Sequence, residues 1–522
     1  MPVVGTDRGP VRGRVVEGMR QFLGIPYAAP PVGGLRWRPP RPAAGWTGPL
    51  EAFEHGSPCA QDTGCMPGWG YDSDSEDCLY LNVYAPAGTG AGDGLPVMFW
   101  IPGGGLAAGG ANDYDPGALV RDGRVVFVSV NYRMNVFGFF SHPVINDEGH
   151  ASGNYGIMDQ QAALCWVRDN ITAFGGDPGN VTVFGESAGA ISALAHMVSP
   201  RSAGLFHKVI LQSASVAATT MTASLESRER VGRDLASAAG CHHQSPDNLR
   251  ALSVRALKAA NAMPEGSYGI GRHHIGLVAD GDIVPDAMRT LFTTGRFQHV
   301  PVINGVNRDE YTWFQAMVEA STGRTLADED YEQAVAEALT GRRRTALLEA
   351  ALPRESLPEI LKRYPLSEYP GASRALSAVI GDCGLISAGG RRTTRMIGQY
   401  VPDVYAYEWD VPDSPVAWPA VSFPYGSAHV QELQYLFPRF RGGGGTAQDL
   451  TPPQQHLARQ MVHYWTTFAH HGTPNAPVPQ APHWPRYQPD RDNFLALRLP
   501  RPTVINDYGT THHCDFWDTL TT

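Results

Sequence analysis

The chain has 522 residues, of which 43% are apolar, 18% charged and 10% aromatic, a composition that excludes disorder, collagen and coiled coil. Fifty-one acidic residues against 41 basic ones give a net charge of −10, spread without long blocks, so no basic face suits a nucleic acid or an anionic membrane. No uninterrupted apolar run reaches the roughly 18 residues that a spanning helix requires. Met1–Pro10 carries no apolar core of a signal peptide, so none is expected in this chain. Seven cysteines form no CxxC pair, and the four adjacent-histidine pairs (at 242, 273, 470 and 512) lack metal-ligand spacing. No metal or cofactor is expected, and those histidines read as surface residues.

In chain order, Leu79–Tyr84, Val97–Ile101, Val125–Asn131, Val181–Phe184, Val209–Leu211 and Val300–Asn304 read as strands. Several are apolar at successive positions, as strands covered on both faces must be. Tyr155–Asn170, Ala188–Val198 and Arg228–Ala239 have helix-like content between them. Strand and helix in alternation predict an α/β fold, a large mostly parallel sheet with helices on both faces. From about 312 to 400 the chain turns helical, for example over Asp328–Thr340 and Thr345–Leu352, before one more strand at Val404–Trp409. Arg441–Thr446 reads as a loop, and Pro474–Pro485 as an extended surface segment. The expectation is one domain over 1–522 with a helical insertion.

The sharpest local signal is Val181-Thr-Val-Phe-Gly-Glu-Ser-Ala-Gly-Ala190, a buried strand running through G-x-S-x-G into a small-residue helix. In that strand–turn–helix setting the glycines permit a turn that thrusts Ser187 Oγ outward as a nucleophile. A serine hydroxyl needs a base held by an acid, and donors for the oxyanion that develops. Trp100-Ile-Pro-Gly-Gly-Gly-Leu106 follows a strand and offers unshielded backbone N–H groups; without a GK[ST] continuation it is not a phosphate loop.

The chain resembles the type-B carboxylesterase and cholinesterase family of α/β-hydrolases over almost its whole length. The likeness rests on Phe22-Leu-Gly-Ile-Pro-Tyr-Ala28, Pro30-Pro-Val-Gly-Gly-Leu-Arg-Trp37, Ser75-Glu-Asp-Cys-Leu-Tyr-Leu-Asn82, Gly153-Asn-Tyr-Gly-Ile-Met-Asp-Gln160, Phe174-Gly-Gly-Asp-Pro178 and the Gly185–Ala190 elbow. The resemblance implies a serine carboxylic-ester hydrolase without cofactor, whose partner is a small-molecule ester. It maps the triad acid to Glu310, in Pro301-Val-Ile-Asn-Gly-Val-Asn-Arg-Asp-Glu310, and the base to His429, in Gly426-Ser-Ala-His-Val-Gln-Glu-Leu433. Ser187, Glu310, His429 is the Ser…Asp/Glu…His order of α/β-hydrolases. By the same likeness the oxyanion donors are the amides of Gly104, Gly105 and Ala188. Ser213 stands near the triad acid, and Glu186 either tunes the histidine or packs against the elbow.

The likeness further implies a Cys59–Cys78 disulfide, and internal ion pairs of Arg36 with Glu76 and Arg133 with Asp159. It leaves open whether Cys514 pairs with Cys383. Pro102 and Leu106 depart from the family, which often has His or Tyr and then Phe there; an aromatic wall on the acyl side is therefore missing. Trp69, in the Cys59–Cys78 loop, lies near the place of the choline-binding tryptophan of cholinesterases, but this loop is shorter, so a Trp packing the pocket rim is expected. Short to medium uncharged esters are the expected substrates. Acyl transfer by the same triad and hydrolysis of a carbamate or lactone are the alternatives, and a non-catalytic binding protein on this fold is disfavoured because all three triad members are present.

Overall fold

The computed structural model describes residues 1–63, 71–151, 153–215, 222–262, 273, 275–339, 352–383, 386–438, 440, 448–476 and 481–521. Among these, the central sheet is built from β1 (Arg14–Val16), β2 (Met19–Pro26), β3 (Tyr80–Pro86), β4 (Leu95–Ile101), β5 (Val126–Val130), β6 (Gly176–Glu186), β7 (Lys208–Gln212), β8 (Val302–Asn307), β9 (Val404–Asp410), β10 (Phe494–Arg498) and β11 (Thr503–Ile505). Their spatial order is β11-β10-β9-β8-β7-β6-β4-β5-β3-β2-β1. From β10 across to β5 neighbouring strands pair in parallel, whereas β1, β2, β3 and β11 pair antiparallel. All seven residues of β4 and all five of β5 are buried, the consequence of helices on both faces.

The covering helices include α1 (Tyr155–Asn170), α2 (Ala188–Val198), α3 (Leu225–Ala238), α4 (Tyr311–Thr322), α5 (Ala372–Cys383), α6 (Ser387–Gly398), α7 (Pro452–His471) and α8 (Cys514–Thr521). α2 is buried at all eleven positions, and its Ala, Gly and Ser side chains let it lie close against β6 and β7. α7 starts with a capping box from Thr451 and Gln454 and stops at Gly472, whose φ of 72° suits glycine. α4, α5 and α6 follow β8 in the chain and precede β9. No helix among the described residues is long and apolar enough to cross a membrane.

The expected strands are all present with bounds shifted by up to five residues, the first of them as the antiparallel β3, and α1 and α2 start and end as expected. The outer strands β1, β2, β10 and β11 were not expected: β1 and β11 have three residues each and no buried position, so no apolar pattern marks them. Thr345–Leu352 (save Leu352 itself) and Arg441–Thr446 lie outside the described residues. Two expectations need correction. Trp484, in the segment read as surface, is fully buried and donates its indole N–H to Ala406 O at 3.1 Å. His512 is buried as well, with Nδ1 2.5 Å from Asp382 Oδ1 and Nε2 2.6 Å from Glu408 Oε1. Those two carboxylates outweigh burial and push its pKa up to about 10, so a protonated imidazole ties the C-terminal segment to α5 and β9.

Arg133 and Asp159 form a buried two-pronged pair, Nε–Oδ2 2.8 Å and Nη2–Oδ1 2.7 Å, and Arg36 meets Glu76 through Nε–Oε2 at 2.7 Å. Cys59 and Cys78 are joined as a disulfide across 19 residues, while Cys383 and Cys514 are buried thiols with no bridge between them. Closing a loop of this size restricts the unfolded chain, so the double change Cys59→Ser/Cys78→Ser is expected to cost about 3 kcal/mol. Differential scanning calorimetry checks this; an unchanged melting temperature would contradict it.

Candidate active site

Ser187 sits where β6 ends and α2 begins, at φ 55° and ψ −122°, a conformation uncommon for any residue with a side chain. The turn is held from both sides: Ser187 N–H donates to Gln212 O at 2.8 Å on β7, and Ser187 O accepts from Ile191 N at 2.9 Å. It is also too tight for side chains nearby. A Cβ on Gly189 would stand 2.0 Å from Ile101 O, and one on Gly185 would stand 2.6 Å from the carbonyl carbon of Gly189. G-x-S-x-G is thus a packing requirement of this strand crossing.

The glycine loop after β4 lies against that turn. A Cβ on Gly103 would meet Glu186 O at 2.6 Å, so this glycine lets the loop approach the elbow. Gly104 and Gly105 have φ of 111° and 65°, and Gly104 O accepts from the amides of Ala107 and Ala108, each at 3.0 Å. Ala188 opens α2, so its amide has no partner in the helix's own ladder. Pro102, the departure noted above, has its carbonyl held by Tyr132 OH at 3.0 Å. Leu106 is buried. Trp69 lies outside the described residues.

Glu310 comes three residues after β8, immediately ahead of α4, and is fully buried on its side chain. His429 arrives from the other direction, on the 411–432 connection that follows β9. The fold joins them: His429 Nδ1 is 2.5 Å from Glu310 Oε2, although 119 residues separate the two. His429 Nε2 is 3.1 Å from Glu186 Oε1, the residue directly before Ser187. Ser213 follows β7 at φ 56°, with its Oγ buried and unpartnered among the described residues.

Two carboxyl groups thus contact one imidazole, and a third, that of Glu432, adds to the field on it. Burial, Glu432 and Glu310 push the proton affinity of Glu186 up, and the imidazolium form of His429 opposes them. For His429 burial works downward, but Glu186 and Glu310 override it and carry the pKa up to about 9. Burial likewise lifts Glu432 to about 7, against the hydrogen bond from Asn307. An imidazole accepts a proton only when neutral, so a base of raised pKa loses activity as pH falls through that raised value. The acid limb of kcat/KM is expected above pH 6.5, and Glu186→Gln, which deletes a charge favouring the imidazolium, is expected to move it to lower pH. A limb at or below 6.5 in the native enzyme, or one unmoved by the substitution, would contradict this.

Some site residues escaped the reading of the sequence. Trp313 and Phe314, on the first turn of α4, place their rings 6.2 and 5.0 Å from the His429 ring. Their signal was available, since they follow Glu310 by three and four residues at the start of a helix. Glu432 and Asn307 were read only as parts of motifs; nothing local marks a buried polar residue as part of a network.

A serine on a sharp turn after a parallel strand, a glycine loop beside it and a His–Glu pair delivered from two later loops define the chain as an α/β-hydrolase. More narrowly, it belongs to the carboxylesterase family, which it matches over residues 1–517, and it is a carboxylic-ester hydrolase. Among similar proteins, an acylcarnitine hydrolase of Mus musculus is 33% identical over 96% of this chain and 88% of its own length. A cocaine esterase of Homo sapiens is 33% identical over 99% of this chain and 91% of its own length. Carboxylesterase 1E of Rattus norvegicus is 34% identical over 95% and 90%.

Proposed function

We propose that Ser187, His429 and Glu310 carry out ester hydrolysis through an acyl-enzyme, with the amides of Gly104, Gly105 and Ala188 as oxyanion donors. The observation that carries this reading is the 2.5 Å contact of His429 Nδ1 with Glu310 Oε2, with Nε2 turned toward the Ser187 elbow. Ser187 Oγ attacks the ester carbonyl while its proton passes to Nε2. The tetrahedral oxyanion is held by the three amides, each such donor being worth roughly 10²–10³ in kcat. The carbon–oxygen bond to the alcohol then breaks as Nε2–H protonates the departing oxygen. Water enters, gives its proton to Nε2 and attacks the acyl carbon, and Ser187 Oγ leaves with that proton. Glu310 keeps the imidazole oriented and stabilises its charged form.

Uncharged short to medium acyl esters are the substrates this reading favours, because Leu106 leaves the acyl side open where an aromatic ring would narrow it. One observation favours a second preference. Trp313 and Phe314 flank His429, and aromatic faces attract cations; two of the relatives are named for acylcarnitine and for cocaine, esters that carry a cationic nitrogen. A panel of nitrophenyl esters from acetate to long chain, with acetylcholine and butyrylcholine against matched neutral esters, separates the two. Higher kcat/KM for the choline esters would overturn the uncharged preference.

A further inference from the structure

Asn307 is the last residue of β8, fully buried; its backbone N–H and side-chain Nδ2 go to three different partners, while its Oδ1 has no hydrogen-bond partner among the described residues. Its backbone N–H donates to Glu310 Oε1 at 2.8 Å. Its side-chain Nδ2 donates to Ala428 O, the carbonyl directly before His429, at 2.7 Å, and to Glu432 Oε2 at 2.6 Å. Glu432 Oε1 in turn accepts from Gln212 Nε2 at 3.0 Å, and Gln212 Oε1 accepts from Trp465 Nε1 on α7 at 3.1 Å. The main-chain oxygen of the same Gln212 receives Ser187 N–H. One connected set of buried hydrogen bonds therefore touches the elbow, the acid and the peptide that carries the imidazole.

The need for such a tie follows from the fold. Glu310 is anchored by a strand end and a helix start. His429 hangs on a stretch, 411–428, that contains no helix or strand. A loop of that kind has conformational freedom, and proton transfer tolerates little error: a displacement of about 1 Å can cost on the order of 10²-fold in rate. We propose that Asn307 is a positioning residue for the reaction, setting the separation of the carboxylate and the imidazole by holding both from one rigid strand end. This rests on the reading of Ser187, Glu310 and His429 as the triad.

Asn307→Asp keeps the shape and the backbone N–H to Glu310 but replaces the Nδ2 donor by an oxygen. An ionised carboxylate there donates to neither Ala428 O nor Glu432, and a protonated one has a single O–H, so at least one of the two side-chain ties is lost. The loop keeps a separate hold, Asp309 N–H to Ser427 O at 2.9 Å and Ser427 N–H to Asp309 Oδ2 at 2.8 Å, which favours a folded variant. The variant is titrated to completion with a phosphonate ester that labels the reactive serine, and kcat and KM on a nitrophenyl ester are expressed per labelled site. The expected result is kcat per site down about tenfold to a hundredfold, with KM within about threefold. A per-site kcat within twofold of the native enzyme overturns the proposal, and so does a loss confined to the number of labelled sites, which would mean a purely structural role. Should the aspartate variant not accumulate as folded protein, Asn307→Ser is measured and judged in the same way. Ser187→Ala is run alongside: if it retains activity the triad reading itself fails, whereas a dead Ser187→Ala beside an unimpaired Asn307→Asp sinks only this inference.

Discussion

Ser187→Ala is expected to lower kcat on every ester by five to six orders of magnitude, about the loss found when a serine nucleophile is removed from another triad hydrolase. At about 1.4 kcal/mol per decade this is roughly 7–8 kcal/mol of transition-state stabilisation. The substitution removes one oxygen and leaves the main-chain bond from residue 187 to Gln212 O in place, so the elbow and the fold are expected to persist. What remains, oxyanion donors and substrate binding, accounts for a small residual rate above that in water. The measurement is a progress curve on a nitrophenyl acyl ester at high enzyme concentration, with circular dichroism and melting temperature as controls. Turnover above about 1% of the native value in pure variant would place the nucleophile elsewhere.

Glu310→Gln is expected to cost about 10³–10⁴ in kcat, the scale on which amide replacement of a triad acid acts in a serine protease. The reason lies in the two partners of Glu310. Oε1 accepts from Asn307 N–H at 2.8 Å, and Oε2 faces His429 Nδ1 at 2.5 Å. In the glutamine variant the amide oxygen stays with the backbone donor, so the NH₂ group points at Nδ1. Two donors cannot share that contact, and the imidazole responds by giving up the Nδ1 proton and carrying one on Nε2 instead. That tautomer cannot accept the Ser187 proton. Steady-state kinetics between pH 7 and 9 read the effect; a loss below tenfold with an unchanged pH profile would show that Glu310 does not orient the base.

How much of this was written in the sequence depends on how local each feature is. G-x-S-x-G between an apolar strand and an Ala-rich helix specifies its own geometry within about ten residues, because the glycines, the strand and the helix start are all contiguous. β4 and β5 were legible for a similar reason: a strand apolar at successive positions is a strand buried on both sides. Glu310 and His429 were placed by family motif, and the disulfide likewise; composition and periodicity alone single out none of them.

The sequence by itself therefore determined the strand–turn–helix at Ser187, the parallel core strands, α1 and α2, while Glu310 and His429 came from the family motifs as the proposed acid and base. Only the tertiary structure decided that Glu186 and Glu310 contact one imidazole, that Asn307 links acid and base, that Trp484 turns inward and that His512 is clamped between two buried carboxylates. The physical reason is the range of the interaction. Backbone conformation and burial pattern are set by neighbours a few residues away, whereas the partner of a buried polar group is chosen by sheet register and helix packing. Here those bring together residues 119 apart at His429 and Glu310, and 104 apart at His512 and Glu408.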